Sequence, residues 1–477
     1  MVVQMLRSWQ FQIRLNERSD KAIYLQIADA VIKDIQSGRL RPGDALPGSR
    51  NLAQVLKVNR NTVVEALNVL IMEGWIVSKE RKGTFVADRL PVFREREKSN
   101  PVMAAMKKTP DKRFHIQFDD GHPDSRIAPI TELARAYRQI FNLKLRWQMM
   151  GYGSELGDPE LRREIAQMLN HQRGLQVNEQ NLCVTRGSQM AMYLAAQCLF
   201  SPGDYVMVEN PGYQPAWKAF ESAGARLLPV RVDKEGLMIE DVIACLKSRK
   251  KIKAIYVTPH HQYPTTVTLN LERRLELIRL SNDHGFTIIE DDYDNEFHFG
   301  YRPVLPLSSF RELKNYVYIG TMSKVVSPVL RIGYLTSSSS ELITRIGALR
   351  KIVDINGDSI MERAVLQLIK DGTIKRHIKK ATNHYRVKRD FTAALLTKLL
   401  KEKAAFDIPD GGLAIWIAPK KKVDWQQVTT KLENQGIKFL NPGVYSFDSK
   451  INGFRLGYGS LSEKELEEGI IALGKQF

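Results

Sequence analysis

Cysteine is scarce in this sequence, and long apolar runs are missing from it. The 477 residues include three cysteines, Cys183, Cys198 and Cys245, whose spacing matches no metal-binding motif. This odd number excludes a small disulfide-stapled secreted domain and indicates a reducing compartment. No run of about 18 apolar residues is present, so no membrane span is predicted. The opening MVVQMLRSWQFQIRLNE is interrupted by charges and lacks a signal-peptide core, so we expect a cytoplasmic protein.

Acidic residues are also in short supply. The chain has 53 Asp and Glu against 71 Lys and Arg, which gives a net charge of +18. Residues 1–115 hold 21 of the basic and 12 of the acidic residues, so half of the excess lies on a small part of the chain. This concentration of positive charge favours a polyanionic partner, and nucleic acid is the simplest one.

The length predicts more than one domain, and the first begins with three helical patterns and a hairpin. A helix is expected over residues 23–38, with an apolar face made of Leu25, Ala28, Ile32 and Ile35. After the turn RPGDALP, Ser49 is expected to cap the short helix SRNLAQVL. The turn KVNR leads to a third helix, NTVVEALNVLIMEG, and WIVSKERKGTFVAD predicts two strands around a charged turn. Together these elements indicate a winged helix-turn-helix.

In a helix-turn-helix, the second helix of the motif enters the major groove with its N-terminal residues on the base edges. Arg can contact guanine, Asn can contact adenine, and Thr can contact a phosphate or a thymine methyl group. The tip of the hairpin suits the DNA backbone or the minor groove. The candidate DNA-binding residues are therefore Ser49, Arg50, Arg60, Asn61, Thr62, Lys82 and Gly83.

The segment YLQIADAVIKDIQSGRLRPGDALPGSRNLAQVLKVNRNTVVEALNVLIMEGWIVSKERKGTFV resembles a GntR-type DNA-binding domain almost throughout. Gly48 stands where that family usually has Ser, so a phosphate contact from this side chain is absent, while Ser49 remains. We expect the DNA-binding domain to span residues 9–88. Residues 89–114, rich in charge and proline, are expected to form a linker, and residues 115–477 a second domain.

The second domain alternates short apolar runs with longer amphipathic ones. The runs predicted as strands are LCVT (182–185), DYVMVEN (204–210), KAIYVT (253–258), TIIEDD (287–292) and VYIGT (317–321). Alternation of this kind predicts an α/β fold with a mostly parallel sheet covered by helices on both faces. Because ligands bind at the carboxyl ends of parallel strands, the residues that follow each run are the candidate site.

Polar and aromatic residues follow these strands. Gly187, Ser188 and Gln189 could bind an anion at a helix N-terminus or simply cap that helix. Tyr213 could cover a flat ligand or only pack, and His261 and Gln262 could line a pocket or be solvated. Asp291 and Tyr293 belong to EDDYD, for which a divalent metal site is the rival interpretation.

The run GTMSKVVSPVLRIGY adds a lysine, hydroxyl groups and an arginine to the same edge of the sheet, namely Thr321, Ser323, Lys324 and Arg331. A lysine amine forms a Schiff base with an aldehyde, and hydroxyl and guanidinium groups bind a phosphate. An Asp can keep a pyridine nitrogen protonated, so that the ring withdraws electrons. Together these residues predict a pyridoxal 5'-phosphate (PLP) site.

The order of these motifs, from YGSELGDPELRREIA to GFRLGYGS, resembles the fold-type I aminotransferases. The resemblance implies that Lys324 forms the internal aldimine, that Asp291 pairs with the ring nitrogen, and that Tyr293 binds the phenolic oxygen. It also implies that Tyr213 stacks on the ring and that Arg455 binds the carboxylate of an amino-acid ligand. The phosphate would be bound by Ser188, Gln189, Ser323 and Arg331.

The sequence departs from the usual aminotransferase pattern at two positions. Tyr263 stands in place of an Asn that contacts the phenolic oxygen, and Thr266 in place of the Gly of an N-P-T-G turn. We expect both departures to affect catalysis and to leave cofactor binding unchanged.

A GntR-type domain, a linker and a complete aminotransferase-like domain resemble the MocR/GabR-like transcription factors. The resemblance implies a PLP-dependent regulator that senses PLP or an amino-acid or amine effector through aldimine chemistry at Lys324. It also implies a homodimer on double-stranded DNA with paired half-sites. A catalytically active aminotransferase with a DNA-binding module is the alternative, and a purely structural cofactor is a third. The effector stays open among PLP, GABA, taurine, a D-amino acid and other amines.

Overall fold

The computed structural model describes residues 13, 15–16, 19–80, 82–91, 114–142, 151–248, 250–300, 304–448 and 451–477. The chain divides into two compact units, Met1–Lys108 and Thr109–Phe477. Most of the predicted linker, residues 92–113, lies outside the described residues. In the described ranges, no helix is long and apolar enough to cross a membrane.

The first unit is a winged helix-turn-helix, as predicted. Three helices pack against an antiparallel sheet with the strand order β1-β3-β2. In chain order the elements are α1 (Ile23–Gln36), β1 (Ala45–Leu46), α2 (Ser49–Leu56), α3 (Arg60–Met72), β2 (Ile76–Lys79) and β3 (Gly83–Val86). The core of this unit includes Ile27, Val31, Val63, Leu70 and Trp75.

Of two local predictions for this unit, the cap of α2 was wrong and the apolar face of α1 was right only in part, since Ala28 and Ile35 are buried as predicted. The buried face of α1 is centred on Ile27, Val31 and Ile35, and it leaves Leu25 and Ile32 only partly buried. Ser49 does not cap α2 but is its first helical residue, and Gly48 occupies the cap position without a side chain to accept a hydrogen bond. The apolar period of α1 is helical, as predicted, but its phase is different.

The second unit contains thirteen strands and eleven helices in its described part. The strands are β4 (Ile116–Gln117), β5 (Leu182–Thr185), β6 (Tyr205–Asn210), β7 (Arg226–Asp233), β8 (Gly236–Leu237), β9 (Ile252–Val257), β10 (Thr287–Asp292), β11 (Tyr316–Thr321), β12 (Gly333–Ser337), β13 (Ala404–Phe406), β14 (Ala414–Pro419), β15 (Ile437–Lys438) and β16 (Phe454–Gly457). The helices are α4 (Ile130–Asn142), α5 (Pro159–Arg173), α6 (Ser188–Leu199), α7 (Gln214–Ser222), α8 (Ile239–Lys247), α9 (Leu271–His284), α10 (Ser340–Asp354), α11 (Ser359–Lys370), α12 (Thr373–Leu400), α13 (Trp425–Asn434) and α14 (Glu463–Gly474).

Eight of these strands form one sheet in the order β5-β12-β11-β10-β9-β6-β7-β8. The pairs from β11 through β10, β9 and β6 to β7 are parallel, whereas β12 is antiparallel to both of its neighbours. All five predicted strands are present, and the mostly parallel sheet is confirmed. Both faces of the sheet carry apolar cores, so burial on two sides explains the continuous apolar runs.

A smaller part of the second unit is built around the antiparallel sheet β13-β14-β16 and the parallel pair β15-β4. Its core combines these strands with α12, α13 and α14, through residues such as Leu396, Ile415, Leu432 and Ile470. Strand β4 belongs to this subdomain although it comes first in the unit. The segment after β4 is thereby held beside the large sheet.

Candidate functional site

A cavity opens at the carboxyl ends of the parallel strands. Strands β6, β9, β10 and β11 run parallel, so the residues that follow them meet at one edge of the sheet. The cavity encloses about 210 Å³, and eight of the ten predicted cofactor residues line it. The lining residues are Asp120, His122, Ser188, Gln189, Tyr213, Tyr256, Thr258, Tyr263, Asp291, Tyr293, Thr321, Ser323, Lys324, Pro328 and Arg331.

Lys324 lies in the loop after β11. Its Nζ donates a hydrogen bond to the main-chain oxygen of Gly121 at 2.8 Å. Burial lowers the pKa of Lys324, and the negative charges of Asp120 and Asp119 only partly oppose this effect. A lowered pKa leaves more of the amine neutral near pH 7, and the neutral amine is the form that attacks a carbonyl carbon.

Asp291, on β10, presents a free carboxylate oxygen. Its Oδ2 accepts a hydrogen bond from the Tyr256 hydroxyl at 2.8 Å, while its buried Oδ1 has no partner among the described residues. Burial, together with the neighbouring charges of Asp292 and Asp294, raises the pKa of Asp291 to about 7, although the hydrogen bond from Tyr256 opposes this shift. A buried carboxylate of this kind is stabilised when a cation, such as a protonated pyridine nitrogen, comes beside it.

The other acidic residues of EDDYD each have a different partner. Asp292 accepts a hydrogen bond from Arg173 at 3.0 Å, and Asp294 pairs with His261 Nδ1 at 2.8 Å. Among the described residues, the carboxylates of EDDYD are therefore not gathered into one group that could share a cation. In the parts of the chain that are described, the acidic and histidine side chains close enough to share a cation are instead Asp119, Asp120 and His122.

Polar groups converge at the N-terminus of α6. Gly187 precedes this helix with a φ of 80°, a backbone conformation that favours glycine. A Cβ atom on Gly187 would lie 3.0 Å from Arg331 Nη2, so the glycine lets the guanidinium approach the start of the helix. The buried atoms Ser323 Oγ and Gln189 Oε1 find no partner within the described ranges. Hydroxyl, amide and guanidinium groups beside a helix N-terminus fit a phosphate.

Three tyrosines surround the middle of the cavity. The rings of Tyr213 and Tyr263 meet edge to face, with centroids 4.9 Å apart. The Tyr293 hydroxyl donates to the main-chain oxygen of His261 at 2.9 Å and accepts from Arg455 Nη2 at 3.2 Å. Arg455 thus lies directly behind Tyr293, in contact with cavity residues but not itself in the lining.

His261 and Gln262 do not line the cavity. His261 is buried against Asp294, and the Gln262 amide donates to the main-chain oxygen of Pro211 at 2.8 Å. Thr266 closes the same turn by donating its main-chain N–H to the Gln262 oxygen at 2.7 Å. Its φ of 65° is a conformation that a β-branched residue rarely adopts and that would suit the Gly of the usual N-P-T-G turn.

The loop formed by residues 119–122 belongs to the site but was not predicted from the sequence. Asp119 Oδ1 accepts hydrogen bonds from the main-chain N–H groups of Gly121 and His122, both at 2.8 Å. The main-chain oxygen of Asp120 accepts from Arg455 Nε at 2.7 Å, and Gly121 contacts Lys324. The Asp-Gly pair is a turn signal that could have identified the loop itself. Its position beside Lys324 depends on contacts more than 200 residues apart in sequence.

The candidate DNA-binding residues lie at the starts of α2 and α3 and at the tip of the wing. Arg60 begins α3 and donates its Nε to Ser49 Oγ at 3.5 Å, which brings the two helix starts together. Asn59 caps α3 by accepting from the Asn61 N–H at 2.9 Å. The side chains of Arg50, Arg60, Asn61 and Lys82 are exposed, Thr62 is half-buried, and Gly83 begins β3.

Comparison with known proteins places both units in families. Residues 117–473 match the family "Aminotransferase class I and II", and residues 23–86 match "Bacterial regulatory proteins, gntR family". The fold and the matches define the class: a DNA-binding regulator that carries an aminotransferase domain. The chain belongs to the class I and II aminotransferase family through that domain, and as a whole it is a regulator of the MocR/GabR type.

Similar proteins include regulators and enzymes. The chain is 27% identical to the probable rhizopine catabolism regulatory protein MocR of Rhizobium meliloti, over 97% of this chain and 95% of the relative. It is also 27% identical to the regulator TauR of Rhodobacter capsulatus, over 94% and 95% of the two chains. The structure of LysN, an α-aminoadipate aminotransferase of Thermus thermophilus complexed with N-(5'-phosphopyridoxyl)-L-leucine, superposes with a TM-score of 0.70 at 25% identity and covers 76% of this chain and 91% of LysN.

Proposed function

We propose that this regulator binds PLP at Lys324 and changes its binding to operator DNA when PLP itself, an amino acid or another amine occupies the cavity. The observation that carries the proposal is the unpartnered, buried Oδ1 of Asp291, which lies in the same cavity as the amine of Lys324. This cavity belongs to a chain whose other unit is a gntR-type DNA-binding domain.

The residues around the cavity fit PLP group by group. Bound PLP would supply an aldehyde carbon and an electron-withdrawing ring. Lys324 would hold it covalently, Asp291 would keep the ring nitrogen protonated, and Tyr213 would cover the ring. Tyr293 would face the phenolic oxygen, and Arg455 would bind the carboxylate of an amino-acid effector. The phosphate would be held by Gly187, Ser188, Gln189, Ser323 and Arg331.

We also propose that the protein acts as a homodimer. Large apolar side chains are exposed on the surface of the second unit, including Tyr152, Val329, Ile352, Val353 and Ile355. The last three lie at the end of α10, where Asp354 pairs with Arg186 Nη2 at 3.0 Å, next to Gly187. A second copy of the chain would cover this apolar surface and would bring two DNA-binding domains to paired half-sites.

The proposal predicts a ligand-dependent change in DNA affinity. Operator fragments are first selected from genomic DNA with the full-length protein. They are then titrated with this protein in the presence and absence of PLP and of each amine in a panel. Allosteric coupling of about 1–3 kcal/mol would change the dissociation constant roughly 5- to 150-fold. The Lys324→Ala variant serves as the control and should lose the response to amines. If no ligand changes DNA binding but the protein transaminates steadily, the aminotransferase alternative is correct.

A second prediction concerns base recognition by α3. Arg60 is exposed at the first position of the helix, so Arg60→Ala should weaken binding to the operator by about 1–3 kcal/mol and leave binding to random DNA nearly unchanged. Lys82→Ala is the matched comparison: it should weaken binding to both DNAs and reduce the dependence on salt. Fluorescence anisotropy with both DNAs measures each effect. Equal losses on operator and random DNA in Arg60→Ala would show that Arg60 reads no base.

A further inference from the structure

The proposed complex gives a role to every strongly charged group around the cavity except one. Arg331 faces the phosphate, Asp291 the ring nitrogen, and Arg455 the carboxylate of the effector, while Lys324 forms the covalent bond. Asp294 is paired with buried His261. The carboxylate of Asp120, which also lines the cavity, has no role in this arrangement.

Asp120 is held in place at the cavity wall. Its Oδ2 accepts a hydrogen bond from the Tyr263 hydroxyl at 3.0 Å, and its Oδ1 lies 3.2 Å from His122 Nε2. The side chain keeps 25% of its surface exposed. Because each carboxylate oxygen can accept two hydrogen bonds, both oxygens retain capacity for a ligand in the cavity.

Asp120 carries a negative charge at neutral pH. Burial alone would raise the pKa of Asp120, but the hydrogen bond with His122 and the positive charges of Lys324 and Arg455 hold it well below its usual range. In the proposed function one of these cations, the Lys324 amine, is the group that bonds to PLP. The carboxylate then faces the effector.

We infer that the effector is an amine or amino acid that carries a second, cationic group, and that Asp120 selects it by binding that group. This inference rests on the proposed function, since it concerns the same cavity. A second carboxylate on the ligand would be repelled by Asp120, and an apolar group would displace water from this carboxylate without supplying a hydrogen bond or a positive charge in return.

Three ligands of nearly equal length test this selection. L-lysine has a cationic end, L-norleucine an apolar end, and L-2-aminoadipate an anionic end. Calorimetric titration of the PLP-loaded, full-length protein should show L-lysine binding about tenfold or more tightly than L-norleucine, with L-2-aminoadipate the weakest. In Asp120→Asn the advantage of L-lysine over L-norleucine should largely disappear, while PLP absorbance is retained.

Tyr263→Phe is the matched control, because it removes the hydrogen bond to Asp120 and keeps the charge. It should therefore preserve the order of the three ligands. The inference would be overturned if the unmodified protein bound L-norleucine as tightly as L-lysine or more tightly. It would also be overturned if the ratio of the L-norleucine and L-lysine dissociation constants were unchanged in Asp120→Asn. Either result would leave the proposed function intact. If neither PLP nor any amine in the panel alters DNA binding, the proposed function fails and the inference fails with it.

Discussion

Replacing Lys324 by Ala is expected to abolish covalent retention of PLP completely. Within the described residues, Lys324 is the one lysine that lines the cavity, and its lowered pKa favours the neutral amine that bonds to an aldehyde. The unmodified protein, incubated with PLP and reduced with borohydride, should keep the chromophore through denaturation and digestion. The labelled peptide should contain Lys324, and Lys324→Ala should keep no label.

The groups proposed to hold the phosphate are unchanged in Lys324→Ala, so this variant should still bind PLP reversibly through Ser323 and Arg331. Lys375→Ala, which removes an exposed lysine on α12, is the control and should be labelled like the unmodified protein. Retention of the label by Lys324→Ala, or its appearance on another lysine, would show that the covalent site is elsewhere. Dialysis followed by absorbance separates reversible from covalent binding.

The sequence predicted the central sheet well because the information for its strands is local. Strands β5, β6, β9, β10 and β11 are continuous apolar runs between turn signals, and each is buried on both faces. The carboxyl ends of parallel strands then determine where polar residues converge. For this reason, residues as far apart as Ser188, Asp291 and Lys324 could be assigned to one cavity from the amino-acid sequence.

Other features depend on contacts that the local pattern does not contain. Strand β12 was not predicted because its residues continue the run that supplies Lys324, and it pairs antiparallel between β5 and β11. The 119–122 loop reaches Lys324 through pairing of β4 with β15, which is more than 300 residues away in sequence. Asp120 therefore could not be recognised as a cavity residue from its neighbours in the chain.

In the motif EDDYD, one feature could be predicted from the local sequence and another depends on contacts with distant residues. Alternation along β10 places Asp291 and Asp292 on opposite faces of the sheet, and this follows from sequence alone. Which residues each of the two carboxylates meets on its face of the sheet does not follow from the sequence alone. Asp291 faces the cavity, whereas Asp292 faces Arg173 at the end of α5, and Tyr318 donates to the same carboxylate at 2.7 Å.

Replacing Arg173 by Met is expected to destabilise the second unit by about 3–5 kcal/mol, because it leaves two buried carboxylates without their cation. Arg173 pairs with Asp292 at 3.0 Å and also with Glu296, and the three side chains are between 2% and 7% exposed. The second oxygens of these carboxylates, Asp292 Oδ1 and Glu296 Oε2, have no hydrogen-bond partner among the residues the structure describes. Urea unfolding at pH 7, followed by tryptophan fluorescence, measures the loss.

The pH dependence of this loss distinguishes an uncompensated charge from a packing defect. Burial raises the pKa of Glu296 to about 6 even though Arg173 opposes the shift, so removal of Arg173 should raise this pKa further. A carboxyl group whose pKa is higher in the folded than in the unfolded state destabilises the fold at high pH, and protonation relieves this effect as the pH falls. The difference in unfolding free energy between Arg173→Met and the unmodified protein should therefore be larger at pH 8 than at pH 5. Arg231→Met removes an exposed ion pair with Asp241, which solvent screens, and should have little effect on the unfolding free energy at either pH. A loss in Arg173→Met that is equal at both pH values would mean that the cluster contributes packing rather than charge.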